Sequence, residues 1–250
     1  MSADTSPSAT SRPRPVRHTV PSPADGVVAR SGGIEVRVVK ASPGVVSPWG
    51  ECSVATTTLV GLSGSTRIDT VDPNFSFALS PGDLYSIPPG LIHRVTADEC
   101  SQFLRFGTGP LGERRLVDLP GDAAPPLAAN DDSSRDEDPS DLTGALVPGV
   151  SRVDTLAKAE GLRVIVQELG PTQCVPWHLH DRVTDVFVCL AGPMVVRTCD
   201  DSGAETETVL RPGDMHAVTP GVPHFVAGAN GRRTRSLIIQ GPGAYNYVSV

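Results

Sequence analysis

His178, His180, Asp185 and His224 are side chains whose types and spacing can hold a metal ion. Three of them lie in the run Pro176-Trp177-His178-Leu179-His180-Asp181-Arg182-Val183-Thr184-Asp185. The fourth closes Pro220-Gly221-Val222-Pro223-His224, downstream of Gly213-Asp214. The chain has only six histidines, so three in one pattern are not a matter of composition. Residues two apart on a strand share a face, so His178 and His180 point the same way. His180 and Asp185 are an odd number apart and would face opposite sides of one strand. The chain must therefore turn at residues 181–184, and Asp185 must open the next strand. Neutral imidazoles with one carboxylate suit Fe(II), Mn(II), Ni(II) or Zn(II). Such a dication with a single anionic ligand keeps a charge of 2 − 1 = +1. That charge favours an anionic, bidentate guest such as an enolate, a 1,2-diol or an α-keto acid.

The same alternation places other side chains around the ion. Phe187 and Cys189 share the face of Asp185, and Val226 shares that of His224, so these three are the substrate-pocket candidates. Cys189 also reads as a buried core thiol. Trp177 falls on the face opposite His178 and reads as packing between sheets or barrels. His216 is outside the pattern, as an outer donor to the site or as a surface residue.

The two segments closely resemble the paired motifs of the cupin superfamily. The first family motif is Gly, five residues, His-x-His, three or four residues, Glu, six residues, Gly. Here His178-x-His180 is followed at that spacing by Asp185 and Gly192, with Thr172 at the opening glycine. The second motif is Gly, five residues, Pro-x-Gly, two residues, His. Gly213, Gly221 and His224 match it, with Thr219 in place of the motif's Pro and Gly228 where the family has a closing Asn. The resemblance covers about residues 160–243. It implies a jelly-roll β-barrel carrying one divalent metal, Fe(II) foremost, on His178, His180, Asp185 and His224. It also implies chemistry from a menu of oxygenation, decarboxylation, isomerisation and cyclisation, which the fold alone does not narrow. The leading expectation is an oxygenase acting on a small enol, phenol or keto-acid substrate. A Lewis-acid cyclase, isomerase or decarboxylase, or a small-ligand-binding module, are the alternatives.

The pattern occurs twice, and an internal repeat decides the architecture. Ser80-Pro81-Gly82-Asp83, continuing to Pro89-Gly90-Leu91-Ile92-His93, duplicates Arg211-Pro212-Gly213-Asp214 and its continuation to His224. The only two tryptophans, Trp49 and Trp177, stand equally far ahead of Gly64 and Gly192. The expected fold is therefore all-β, two jelly-roll barrels in tandem, a bicupin. Alignment of the halves puts Gly50, Cys52 and Thr57 where His178, His180 and Asp185 stand, with His93 opposite His224. Glycine offers no ligand and threonine a poor one, so the first barrel is expected to have lost its metal.

Residues 1–24 are polar and broken by prolines, and read as a disordered tail that contains His18. The N-terminal barrel spans 25–110, with strands from Ile34 onward, and the C-terminal barrel spans 151–250. Residues 111–150 hold the run Asn130-Asp131-Asp132-Ser133-Ser134-Arg135-Asp136-Glu137-Asp138 and read as an acidic linker. Residues 153–160 are expected to form a short helix. The abundance of Gly (25) and Pro (24) agrees with short strands joined by turns. A net charge of −7 without a basic stripe argues against a nucleic-acid partner. No apolar run is long enough to span a membrane as a helix. The five cysteines include no Cys-x-x-Cys pair and read as free thiols in a reducing, cytoplasmic setting. A small-molecule substrate is the expected partner, with self-association into a homo-oligomer left open.

Overall fold

The computed structural model describes residues 26–52, 54–107, 115–117 and 150–250. The tail and most of the linker fall outside those residues. The first half forms β1 (Val27–Ser31), β2 (Ile34–Ala41), β3 (Gly50–Glu51), β4 (Thr57–Ser63), β5 (Thr66–Thr70), β6 (Ser76–Leu79), β7 (Leu84–Ile87), β8 (His93–Ala97), β9 (Ser101–Gly107) and β10 (Arg115–Leu116). The second half forms β11 (Arg152–Ala159), β12 (Leu162–Leu169), β13 (Cys174–Leu179), β14 (Asp185–Ala191), β15 (Met194–Cys199), β16 (Glu205–Leu210), β17 (Met215–Val218), β18 (His224–Gly228), β19 (Thr234–Gln240) and β20 (Val248–Ser249).

Each half is a pair of five-stranded sheets with antiparallel pairing. The orders are β1-β2-β9-β4-β7 with β10-β3-β8-β5-β6, and β11-β12-β19-β14-β17 with β16-β15-β18-β13-β20. The second pair repeats the first, strand for strand, and the register repeats too. Gly50 faces His93 as His178 faces His224, and Thr57 faces Ile87 as Asp185 faces Val218. The tandem jelly-roll reading of the sequence is thus the observed architecture.

Two sequence expectations are corrected. Residues 153–160 are not helical: 153–159 belong to β11, which pairs along β12 with Thr155 opposite Ile165, and Glu160 lies in the turn that follows. The carboxylate at Asp154 resembles a helix start, but β12 has an open edge whose backbone groups need a partner. Pairing there also buries Ala157 in the core. The first strand begins at Val27, not Ile34, and turns through Gly32-Gly33, both at positive φ. A two-residue glycine turn is a hairpin signal that sits in plain view in the sequence.

The barrels meet through sheet faces and not through strand edges. Val36, Val38, Val60, Leu104 and Phe106 from the first half share one apolar core with Val164, Val186, Val188, Leu237 and Ile239 from the second. This explains why β14 is buried at every position but its last. Its alternate residues Val186, Val188 and Leu190 enter the core between the barrels, while Phe187 and Cys189 enter the core of their own barrel. A strand covered on both faces reads as a continuous hydrophobic run. A proteolytic nick at Asp132 should therefore leave two fragments that co-elute on size exclusion. Separation of the fragments without denaturant would show that this core does not hold the halves together.

Candidate metal centre

The four candidate ligands come from three strands and one turn of the C-terminal barrel. His178 lies on β13, His180 just past its end, Asp185 at the first position of β14 and His224 at the first position of β18. The chain bends through residues 181–184 between His180 and Asp185. One ligand atom from each of the four lies within 4.8 Å of the others, and all four residues are buried. Among the described residues this is the one such group of three or more His, Cys, Asp or Glu. In the first barrel Gly50, Cys52, Thr57 and His93 occupy the matching places and form no such group.

Backbone carbonyls set the imidazoles. Nδ1–H of His178 donates to the carbonyl of Pro176 at 2.8 Å, and that of His224 to Val222 at 3.0 Å. Nδ1–H of His180 donates to the carbonyl of Asn246. Holding Nδ1 in this way leaves the Nε2 lone pair for the centre of the barrel. Nε2 of His180 and of His224 lie 3.2 and 3.6 Å from Asp185 Oδ2. Both Nε2 atoms are buried and have no partner with hydrogen-bond geometry. Buried polar atoms are almost always satisfied. Two orphans converging on one carboxylate oxygen are what an ion between them would satisfy.

Protonation favours the same reading. Burial works against the Asp185 charge, yet His180 and His224 hold its carboxyl down to about 2. Burial and then the neighbouring His224 press His178 down to about 4, so it is a neutral donor near pH 7. Burial also opposes a proton on His180, but Asp185 outweighs it and raises that imidazole.

The sequence gives no hint of how Asp185 is oriented. Gln240, its neighbour across β14 and β19, donates its amide to both carboxylate oxygens at 3.0 Å. Gln240 in turn accepts from Arg163 of β12, its neighbour on the other side. The chain Arg163–Gln240–Asp185 crosses three adjacent strands, so it is set by register and not by spacing. The first barrel has Gly107 in the register place of Gln240, opposite Thr57, and holds no such relay.

Above the ligands lies a cavity of about 80 Å³ lined by Phe187, Val226, Ile165, Arg163, Tyr245 and Tyr247, among others. Phe187 and Val226 are where alternation puts them. Cys189 is not part of the lining. It sits further along β14 in the barrel core, its thiol donating to the Gly192 carbonyl at 2.9 Å. Burial pushes that thiol up to about 12, so no thiolate is available to a metal. Trp177 packs on the outer face against Phe225, ring centroids 6.0 Å apart. His216 is buried on β17, paired in register with Phe187. All five cysteines are free thiols. No helix among the described residues is long and apolar enough to cross a membrane.

The segment 241–250 was missed as part of the site. It returns across the barrel mouth, where β20 pairs with β13. Tyr247 stacks on His178 at 4.5 Å, and the Arg163 guanidinium lies 3.4 Å from the centre of the Tyr245 ring. An aromatic doublet, Tyr245-x-Tyr247, was the available signal.

Two tandem jelly rolls with inward histidines and a carboxylate define a class, and comparison with known proteins agrees. Residues 151–246 match the family model described as Cupin. The C-terminal barrel is thus similar to cupins over nearly its whole length, and the first barrel repeats its strand order. The chain is also similar to germin-like protein subfamily 1 member 1 of Arabidopsis thaliana, 33% identical over 84 residues. That match spans 34% of this chain and 36% of the relative's length. A cupin 2 conserved barrel domain protein from Leptotrichia buccalis superposes with a TM-score of 0.52 at 11% identity, over 86% of each chain, a likeness of fold. Oxalate decarboxylase of Lactobacillus farciminis, in a formate complex, gives a TM-score of 0.45 at 12% identity, over 87% of this chain and 79% of its own.

Removal of Phe187 separates pocket shape from ion binding. Phe187 is buried and lies edge-on to His224, with ring centroids 5.9 Å apart. Phe187→Ala should cost about 3–5 kcal/mol of stability, as buried Phe→Ala changes do. The widened cavity should change which substrates are accepted, while metal content stays near one per chain. Metal analysis beside a thermal melt checks this, and loss of the metal would make Phe187 a support of the ligand set.

Proposed function

We propose that the C-terminal barrel is a metal-dependent enzyme site for a small anionic substrate, an enol, phenol or keto acid, with an oxygenase as its foremost activity. The carrying observation is the pair of buried, unpartnered Nε2 atoms on His180 and His224 beside Asp185. His178, His180, Asp185 and His224 would hold a divalent ion, with Fe(II) and Mn(II) the first to test. When bound, such an ion supplies a Lewis acid, and a redox centre if it is iron or manganese.

The protein's own residues prepare the rest. Arg163 brings a positive charge to the cavity wall, which suits an anionic guest. Tyr245 and Tyr247 cover the mouth and keep water from the buried ligand face. Gln240 fixes both Asp185 oxygens, so the carboxylate does not swing when a guest arrives. Arg163→Met should raise KM for an anionic substrate about tenfold or more, while metal content holds. Oxygen uptake by iron- or manganese-loaded protein over a panel of enols, phenols and keto acids tests the activity. Turnover that persists under argon would replace the oxygenase reading with non-redox chemistry at the same ion. Protein that binds no divalent metal would remove the proposal.

A further inference from the structure

The N-terminal barrel has its own cavity, of about 180 Å³ against about 80 Å³ in the second barrel. Its body is apolar, formed by Val39, Leu59, Val95 and Phe103, and Arg105 lines it beside them. Phe103 and Arg105 alternate along β9 with Leu104 and Phe106, which enter the core between the barrels. The guanidinium is therefore committed to the inner face. In register Arg105 lies opposite Leu59 as Ile238 lies opposite Phe187, so a cation stands where the sister barrel has an aliphatic side chain.

No carboxylate lines the cavity among the described residues, and none of them forms an ion pair with Arg105. The only further cation of the lining, Lys40, is exposed at its rim. Burial disfavours the charged form of Arg105, nearby Cys52 works the other way, and Arg37 adds to the effect of burial. A half-buried guanidinium without a counter-ion is costly, and it fits a carboxylate by two parallel hydrogen bonds. Thr57 and Ser47 add hydroxyl groups to the wall. The volume is far more than one water needs, roughly 10–15 Å³.

We propose that the N-terminal barrel is a metal-independent binding site for a small organic carboxylate with an apolar body, anchored on Arg105. Such a barrel has exchanged an ion for a fixed guanidinium as its positive centre. It would sense or store an organic acid while the other barrel does chemistry.

Benzoate and butyrate are the probes, and benzamide is the uncharged control. Titration calorimetry on full-length, metal-stripped protein carrying His224→Ala and Arg163→Met removes both the second barrel's ion and its cavity cation from the measurement. Benzoate should bind with one site per chain, at least tenfold tighter than benzamide. Arg105→Ile should lose at least tenfold in benzoate affinity. It should also fold, because the sister barrel accommodates Ile238 at that place, and its melting temperature without ligand should be unchanged or higher. Benzamide binding as tightly as benzoate, full benzoate affinity in Arg105→Ile, or no benzoate or butyrate binding at millimolar concentration would each overturn the proposal. The benzoate-benzamide comparison decides it even if Arg105→Ile fails to fold.

Discussion

His224→Ala should leave the protein folded and without its metal. The residue is buried and faces three other ligand side chains, so its loss removes a donor that no neighbour replaces. Outer-shell changes typically cost 10–100-fold in metal affinity. A ligand deletion should exceed that range, and Gln240→Leu should fall within it, since Gln240 acts on the ion through its hydrogen bonds to Asp185. Asp185→Asn should resemble His224→Ala, because it removes the only negative ligand. Asp185→Glu should keep part of the affinity. Competitive titration with a chromophoric chelator gives all four values on one scale. Wild-type protein should bind one equivalent, all of it lost in His224→Ala. A second equivalent abolished by Cys52→Ala would place an ion in the first barrel, and unchanged content in Asp185→Ala would take Asp185 out of the ligand set.

The positions of the four candidate ligands were legible because each follows from a short-range rule. Period two sets His178 and His180 on one face, an odd separation forces the turn before Asp185, and a Pro-Gly turn delivers His224. The duplicated turn exposed the two-barrel plan for the same reason. What escaped depends on pairing between distant strands. Gln240 and Arg163 meet Asp185 only through register across β12, β19 and β14. Residues 245–247 reach the histidines only because the chain doubles back over the mouth. β11 was misread because a local helix-start signal competes with an unpaired strand edge that no local window contains. Arg105 stood between. Counting from buried Phe103 sends it inward, but a cation in that position invites dismissal as surface.

Gly213→Ala should cost about 1–3 kcal/mol more stability than Gly221→Ala. Both glycines have nearly the same backbone, φ +89° and +82°. A side chain in that region costs about 1–2 kcal/mol at either place. Their surroundings differ. A methyl group at Gly221 meets nothing within 4 Å, whereas at Gly213 it would lie 2.0 Å from the carbonyl oxygen of Leu62 in the other barrel. That atom is backbone and cannot turn aside, so the halves must part. Overpacking of this kind typically adds about 1–3 kcal/mol. For a chain of this size each kcal/mol lowers the melting temperature by about 2–4 °C. Gly82→Ala should match Gly213→Ala, since its methyl group would meet the Leu190 carbonyl oxygen at 2.1 Å. Equal melting temperatures for Gly213→Ala and Gly221→Ala would refute a tight contact at this point.

The two glycine contacts are reciprocal: Gly82 of the first half abuts Leu190 of the second, and Gly213 of the second abuts Leu62 of the first. Reciprocity of this kind is the mark of a dyad, the isologous contact of a symmetric dimer. Here the dyad is internal to one polypeptide. In a dimer of identical subunits every substitution lands twice, and dilution can part the subunits. In this chain a substitution lands once, and the tether fixes the stoichiometry at one to one at any concentration. The two barrels are thereby free to differ in content while sharing an interface that neither can abandon.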